Sequence, residues 1–336
     1  MQYITHVDLF FDEDVVDYMI NSGFSKRISC RIATDSVLPS ISVLKSLTHL
    51  NLINNRNVRS VYIDLHSISH CKLLQHIHTV GFILKGEERK DENAALTLSP
   101  DLRVLDIINC SLVSITVYDI MNAVPDTIEC ISIWNVTNPD DSRSTIPENI
   151  DRLKELVSLS ISQTKLSSSV PNSLYDLTNL HSLLLREVGI TGSIHKNIGQ
   201  LISLSSLNVS GNQLRGKIPR TVSRLTNLKT LDLSNNRLSG RIPRGLRVLT
   251  KLTQLHLNNN RLTRIPSTMS DLTNLLSLDL SRNRLKCRIA NNIFVNMTDL
   301  MNLSLHNNKQ LSGYIELPNG RTYVRYKNTD LEIDHV

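Results

Sequence analysis

Apolar residues in this chain come in short bursts of alternation rather than in helical stripes. From Leu204, LSSLNVSGNQL places them at the first, fourth, sixth and eleventh positions, with polar residues between. The same arrangement returns as LKTLDLSNNRL at Leu228, LTQLHLNNNRL at Leu252 and LLSLDLSRNRL at Leu275. Further copies begin at Leu300, Leu180 and Leu156, and weaker ones at Ile128, Leu102, Leu74 and Leu47. These eleven starts are separated by 27, 28, 26, 28, 24, 24, 24, 24, 23 and 25 residues. Alternation over LxLxx is the period of a strand buried on one side. One such strand cannot bury its apolar face alone, so the copies must stack as coils around a shared core. The pattern predicts an elongated array of about eleven coils rather than a compact domain.

A second column falls at the ninth place of each copy: Asn55, Asn212, Asn236, Asn260, Asn283 and Asn308. A side-chain amide there both donates to and accepts from the backbone as the coil leaves its strand. Cys110 and Thr164 are tolerable substitutes, whereas Phe82, Val136 and Val188 are not, which predicts less regular coils between Leu74 and Leu180. The pattern LxxLxLxxN/CxL at about 24 residues resembles the leucine-rich repeat. The half-repeats LRGKIPRTVSRLTNL and LSGRIPRGLRVLTKL are similar to the LxGxIP half-repeat of the plant-type subclass, found in receptor ectodomains and related inhibitors. The resemblance covers about residues 44–313. It implies an α/β leucine-rich-repeat solenoid, curved, with a parallel sheet on its concave face. Its coils are expected to be irregular over 44–155 and regular over 156–313.

The flanks are expected to be caps. Over residues 4–23 five acidic residues lie beside Phe10, Phe11, Val15, Val16, Tyr18, Met19 and Ile20, which reads as an amphipathic helix within a cap spanning 1–43. In the closing segment, 314–336, GYIEL and RTYVRY flank Pro318-Asn319-Gly320, a hairpin signal. The charged run Lys85 to Asn93 is an insertion in the Leu74 coil.

Composition narrows the function classes. Only 4% of residues are aromatic and Trp134 is the single tryptophan, which suits a thin aliphatic core. Five widely spaced cysteines give neither a disulfide framework nor a zinc ribbon, and fit a reducing compartment. The acidic amino terminus predicts no export signal, and no apolar run is long enough to span a membrane. A cytoplasmic monomer is therefore expected, with a secreted or surface protein as the alternative. The plant-type half-repeat and the N-x-S/T sites at Asn135, Asn208, Asn296 and Asn302 point to that alternative. Nucleophile-elbow, Walker, zincin and dinucleotide motifs are all missing, so neither enzyme activity nor a cofactor is expected. His49, His76 and His78 gather near Asp106 and Cys71 but show no metal-ligand spacing, so no metal is expected.

The expected function is non-enzymatic protein recognition through the concave strands. Outward positions there are the third, fifth and seventh of each copy: Ser206 and Asn208, Thr230 and Asp232, Gln254 and His256, Ser277 and Asp279, then Asn302. Trp134 and Arg186 share the seventh place and are the aromatic and arginine anchors that interfaces favour. A second candidate surface is basic. Between Leu201 and Ser270 there are 12 Lys and Arg but one acid, Asp232. Lys217, Arg241, Arg264 and Arg288 recur beside the IP element as a column of like charge, either a solvated flank or a dock for an acidic protein, a phosphorylated segment or an anionic surface. Nucleic acid is not expected, because no aromatic residues interleave with the basic ones.

Overall fold

A computed structural model of the chain describes residues 7–10, 27–32, 47–54, 62–86, 96–138, 144–166, 169–290, 292–317 and 320–333. The chain divides into two compact units, Met1–Leu174 and Tyr175–Val336.

In the first unit the strands Val7–Phe10, Arg27–Ile32, His49–Asn54, His76–Val80, Val104–Ile108, Cys130–Trp134 and Ser158–Ser162 pair in that order, all parallel. In the second, Ser182–Arg186, Ser206–Asn208, Thr230–Asp232, Gln254–His256, Ser277–Asp279, Asn302–Ser304 and Tyr323–Arg325 do the same. Each coil contributes one strand to this ladder, and the repeat register is the pairing register: Leu207, Leu231, Leu255, Leu278 and Leu303 face one another in sequence. All five are buried. Each buried leucine contributes about 1.5–3 kcal/mol of transfer free energy, which fixes the register, since a one-residue slip would turn the whole column to solvent.

Away from the strands the regular coils turn through short 3₁₀ helices, Lys196–Gln200, Arg220–Arg224, Arg244–Val248 and Ser267–Asp271. The IP element explains the last three. Pro219, Pro243 and Pro266 sit at their N-caps with φ near the proline value, −66°, −62° and −76°. The early coils carry α-helices there instead, Leu65–Ser69 and Val117–Ala123. The second helix has a capping box between Thr116 and Asp119. Irregularity of the early coils is thus a change in their return path, with the strand ladder kept.

Both expected caps need correction. Val7–Phe10, placed in an amphipathic helix over 4–23, is a strand paired with Arg27–Ile32. Only Val7, Asp8 and Leu9 alternate, too short a run to settle the element by itself, and the neighbouring strand supplies its pairing. The rest of 4–23 lies outside the described residues, as does Asn55. The carboxyl-terminal hairpin is likewise replaced. Tyr323–Arg325 pairs in parallel with Asn302–Ser304, while Ser312–Ile315 lies in another sheet between Arg288–Ile289 and Asp330–Ile333. A hairpin would leave the edge of the last leucine strand unpaired; a further coil covers it.

Candidate functional site

The ninth-place amides hold the strand ends in position. Asn236 Nδ2 donates to the carbonyls of Val209 (2.9 Å), Ser234 (3.1 Å) and Leu233 (3.3 Å), and its Oδ1 accepts from Leu214 N at 3.0 Å. Asn212, Asn260, Asn283 and Asn308 repeat this set. Thr164 substitutes for it, accepting from Val136 N at 3.0 Å and donating to Ser162 O at 3.1 Å. Cys110 Sγ donates to Ile108 O at 3.2 Å. The coils with valine at this place rely on the next coil: Val188 N donates to Asn212 Oδ1 at 3.2 Å.

One place earlier, every coil from Asn109 onward takes the left-handed conformation. Asn109, Asn135, Gln163 and Glu187 have φ between 50° and 56°, followed by Gly211, Asn235, Asn259, Arg282, Asn307 and Asn328. Asparagine tolerates this region and links to its neighbour there. Asn135 Nδ2 donates to Asn109 Oδ1 and Asn259 Nδ2 to Asn235 Oδ1, both at 2.9 Å.

On the strand face of the second unit the expected columns are in register. Ser206, Thr230, Gln254, Ser277 and Asn302 form one, and Asn208, Asp232, His256, Asp279 and Ser304 the next. Gln254 and Asn302 are exposed, while the others are half-buried. Three of these residues have structural work. Asn208, Asp232 and Asp279 each accept, through Oδ1, the N–H two residues on, from Ser210, Ser234 and Ser281, all at 2.9 Å. Asn208 Nδ2 also donates to Asp232 Oδ2 at 3.3 Å, and His256 Nε2 lies 3.2 Å from Ser277 Oγ. The short polar side chains therefore close the strand ends as well as line the face.

Arg186 is exposed, with its Nε 3.0 Å from Glu187 Oε1. Trp134 is 43% exposed and donates from Nε1 to Gln163 Oε1 at 3.0 Å. The register places it at the end of a column absent from the expected set, Ile53, Val80, Ile108 and Trp134 on four successive strands. The first three are partly exposed. Asn109 and Asn135, with their linked amides, border the stripe. Its signal was in the sequence, since all four are seventh-place residues.

The histidines meet as their spacing suggested: His49 stacks on His76 with ring centroids 4.2 Å apart, and His78 Nδ1 lies 3.4 Å from Asp106 Oδ2. Among the described residues no three His, Cys, Asp or Glu side chains converge on a metal position. Cys110, Cys130 and Cys287 are free thiols; burial raises the pKa of Cys110 and Cys130, and pushes Cys71 up to about 11. No described helix is long and apolar enough to cross a membrane.

The basic flank is a sheet of its own. Arg215–Lys217, Arg237–Arg241 and Arg261–Arg264 pair in parallel, with Arg215 opposite Arg237, Lys217 opposite Ser239, and Arg241 opposite Arg264. The single column expected of Lys217, Arg241, Arg264 and Arg288 is therefore broken. Lys217 is offset from Arg241 and its stem lies over Gly240, and Arg288 belongs to the sheet of the closing coils.

Residues 202–262 match the family model for the leucine-rich repeat. These coils are leucine-rich repeats. The leucine-rich-repeat array is similar to the plant peptide hormone receptor RGFR1 in complex with RGF2, with a TM-score of 0.74 and 26% identity over 93% of this chain. It is also similar to the ectodomain of the Arabidopsis receptor kinase HAESA bound to an extended IDA peptide hormone, with a TM-score of 0.67 and 26% identity over 86% of the chain. The chain spans 49% and 47% of those two structures. A Leptospira interrogans leucine-rich-repeat protein shares the fold, at a TM-score of 0.70 and 22% identity, over 98% of this chain and 85% of that one. No curated protein matches the chain in sequence.

Proposed function

We propose that this chain is a non-catalytic recognition module that binds an extended peptide segment of a partner across the strand face of its first unit. The observation that carries this reading is the apolar column Ile53, Val80, Ile108 and Trp134 beside the amides of Asn109 and Asn135. Strands stand about 4.8 Å apart, so four of them offer a stripe roughly 14 Å long. That length accommodates two or three alternate side chains of an extended segment, while primary amides both donate to and accept from a peptide backbone. Trp134 is the anchor, a large, half-exposed ring held in orientation by Gln163.

The receptor ectodomains it resembles were solved with peptide hormones bound, which supports a peptide ligand. They also favour the secreted or cell-surface reading over the cytoplasmic one. Panning a random peptide library on the immobilised chain tests the reading. Selected peptides should carry apolar residues at alternate positions and lose at least about 30-fold in affinity, roughly 2 kcal/mol, on Trp134→Ala. Selection of peptides indifferent to Trp134→Ala and Ile108→Ser would remove this face as the site. Glycan at Asn296, exposed and away from the strand face, in protein from the native source would establish the secreted route.

A further inference from the structure

The three-stranded sheet on the flank of the second unit presents Arg215, Lys217, Arg237, Arg241, Arg261 and Arg264, all exposed. Among the described residues none of the six has a carboxylate within ion-pair distance. Asp232, the one acid between Leu201 and Ser270, lies on the strand face instead. Two pairs of arginines are directly opposed across neighbouring strands, Arg215 with Arg237 and Arg241 with Arg264. Like charges in that relationship repel, and each pair is relieved by an anion placed between its guanidinium groups.

We propose that this sheet docks an acidic peptide segment of a protein partner, in which Asp or Glu occupies every second position. Arg237 and Arg241 lie four residues apart on one strand, roughly 13 Å at the usual rise; the second pair is shifted sideways by one strand, past a register shift between Gly240 and Arg241, so the two arginine pairs stand roughly 14 Å apart on a line slightly oblique to the strands. Lys217 and Arg261 fall between them, on either side of Ser239. An extended peptide laid along the strands has the same rise. Its carboxylates at the first and fifth positions meet the two pairs, and that at the third meets Lys217 and Arg261. The arginine fork accepts a carboxylate in two parallel hydrogen bonds. Other polyanions fit less well. No aromatic side chain stands in the sheet to stack a nucleobase. The sheet is three strands wide, about 10 Å between its outer strands, which is narrow for a double helix. It offers no exposed apolar side chain to enter a membrane.

Fluorescence anisotropy with a labelled dodecapeptide of alternating Glu and Ser tests this directly. A second dodecapeptide of the same composition, with its six Glu contiguous, reports on spacing. The alternating peptide should bind at least fivefold more tightly, weaken as salt rises, and lose tenfold or more on the double change Arg241→Glu and Arg264→Glu. Lys229→Glu with Lys251→Glu makes the same change in net charge outside the sheet and should cost less than threefold. Unchanged thermal melts of both double variants keep the comparison interpretable. Equal binding of the two peptides, equal loss in the two double variants, or stronger binding of a sulfated oligosaccharide or a single-stranded oligonucleotide of matched charge would overturn the assignment. None of these outcomes bears on the apolar stripe around Trp134.

Discussion

Asn236 donates from its side-chain amide to the carbonyl of Val209, 27 residues earlier, at 2.9 Å. The same nitrogen reaches Ser234 and Leu233 within its own coil, so one buried residue ties two coils together. Asn236→Leu strands the N–H of Leu214, leaves the carbonyl of Val209 only its bond from Asn212 Nδ2, and must fit branched bulk into a filled turn. The expected loss is about 2–4 kcal/mol in denaturant melts. Asn258→Leu, half-exposed on the strand face, should cost under about 0.5 kcal/mol. Equal losses would contradict the column's structural role.

Arg152 closes the carboxyl end of the helix Val117–Ala123. Its Nη2 donates to the carbonyls of Met121 (3.0 Å), Asn122 (3.1 Å) and Val124 (2.8 Å), and Nη1 pairs with Asp126. A guanidinium there satisfies carbonyls that end a helix and meets its negative pole. Arg152→Ala should destabilise the chain by about 1.5–3 kcal/mol. Arg152→Lys should recover less than half of that, since an ammonium cannot span three carbonyls and a carboxylate at once. Full rescue by lysine would reduce the residue to a point charge.

Arg282 holds φ at 52° in a column where Asn259 and Asn307 occupy the equivalent places. Left-handed backbone costs most residues about 1–2 kcal/mol, and asparagine less. Arg282→Asn is therefore expected to raise stability by about 0.5–1 kcal/mol and to link its amide to those of the neighbouring coils. A lower melting temperature for this variant would show that the long side chain offsets the strain.

Burial pushes the Cys71 thiol up to about 11, from an ordinary value of 9. The folded chain thus keeps a proton that the unfolded chain releases as pH rises from 9 towards 11, so folding stability declines across that window. Burial acts in the same direction on Cys110 and Tyr175. Unfolding titrations between pH 8 and 11 should show this loss, with a shallower slope in Cys71→Ala even though that variant starts less stable. An unchanged slope would place the alkaline loss elsewhere.

The repeats alone carried the solenoid, the inward face of each strand and the amide column, because each coil solves the same local problem with the same residues. Alternation from Leu204 to Leu303 fixed which side chains face inward, and Pro after Ile fixed the 3₁₀ turns. Tertiary structure decided what depends on a neighbouring coil. VDLF at residues 7–10 and RTYVRY at residues 321–326 are ambiguous by themselves; an open strand edge beside each made them strands of the ladder. Stacking also sorted the site residues. It tied Asn208, Asp232 and Asp279 to the strand ends, joined Ile53, Val80 and Ile108 to Trp134, and split the basic column by an offset of Lys217 from Arg241. Periodicity states which face a residue takes; which residues stand side by side on that face depends on pairing between segments more than 20 residues apart, where coil lengths and bulges set the register.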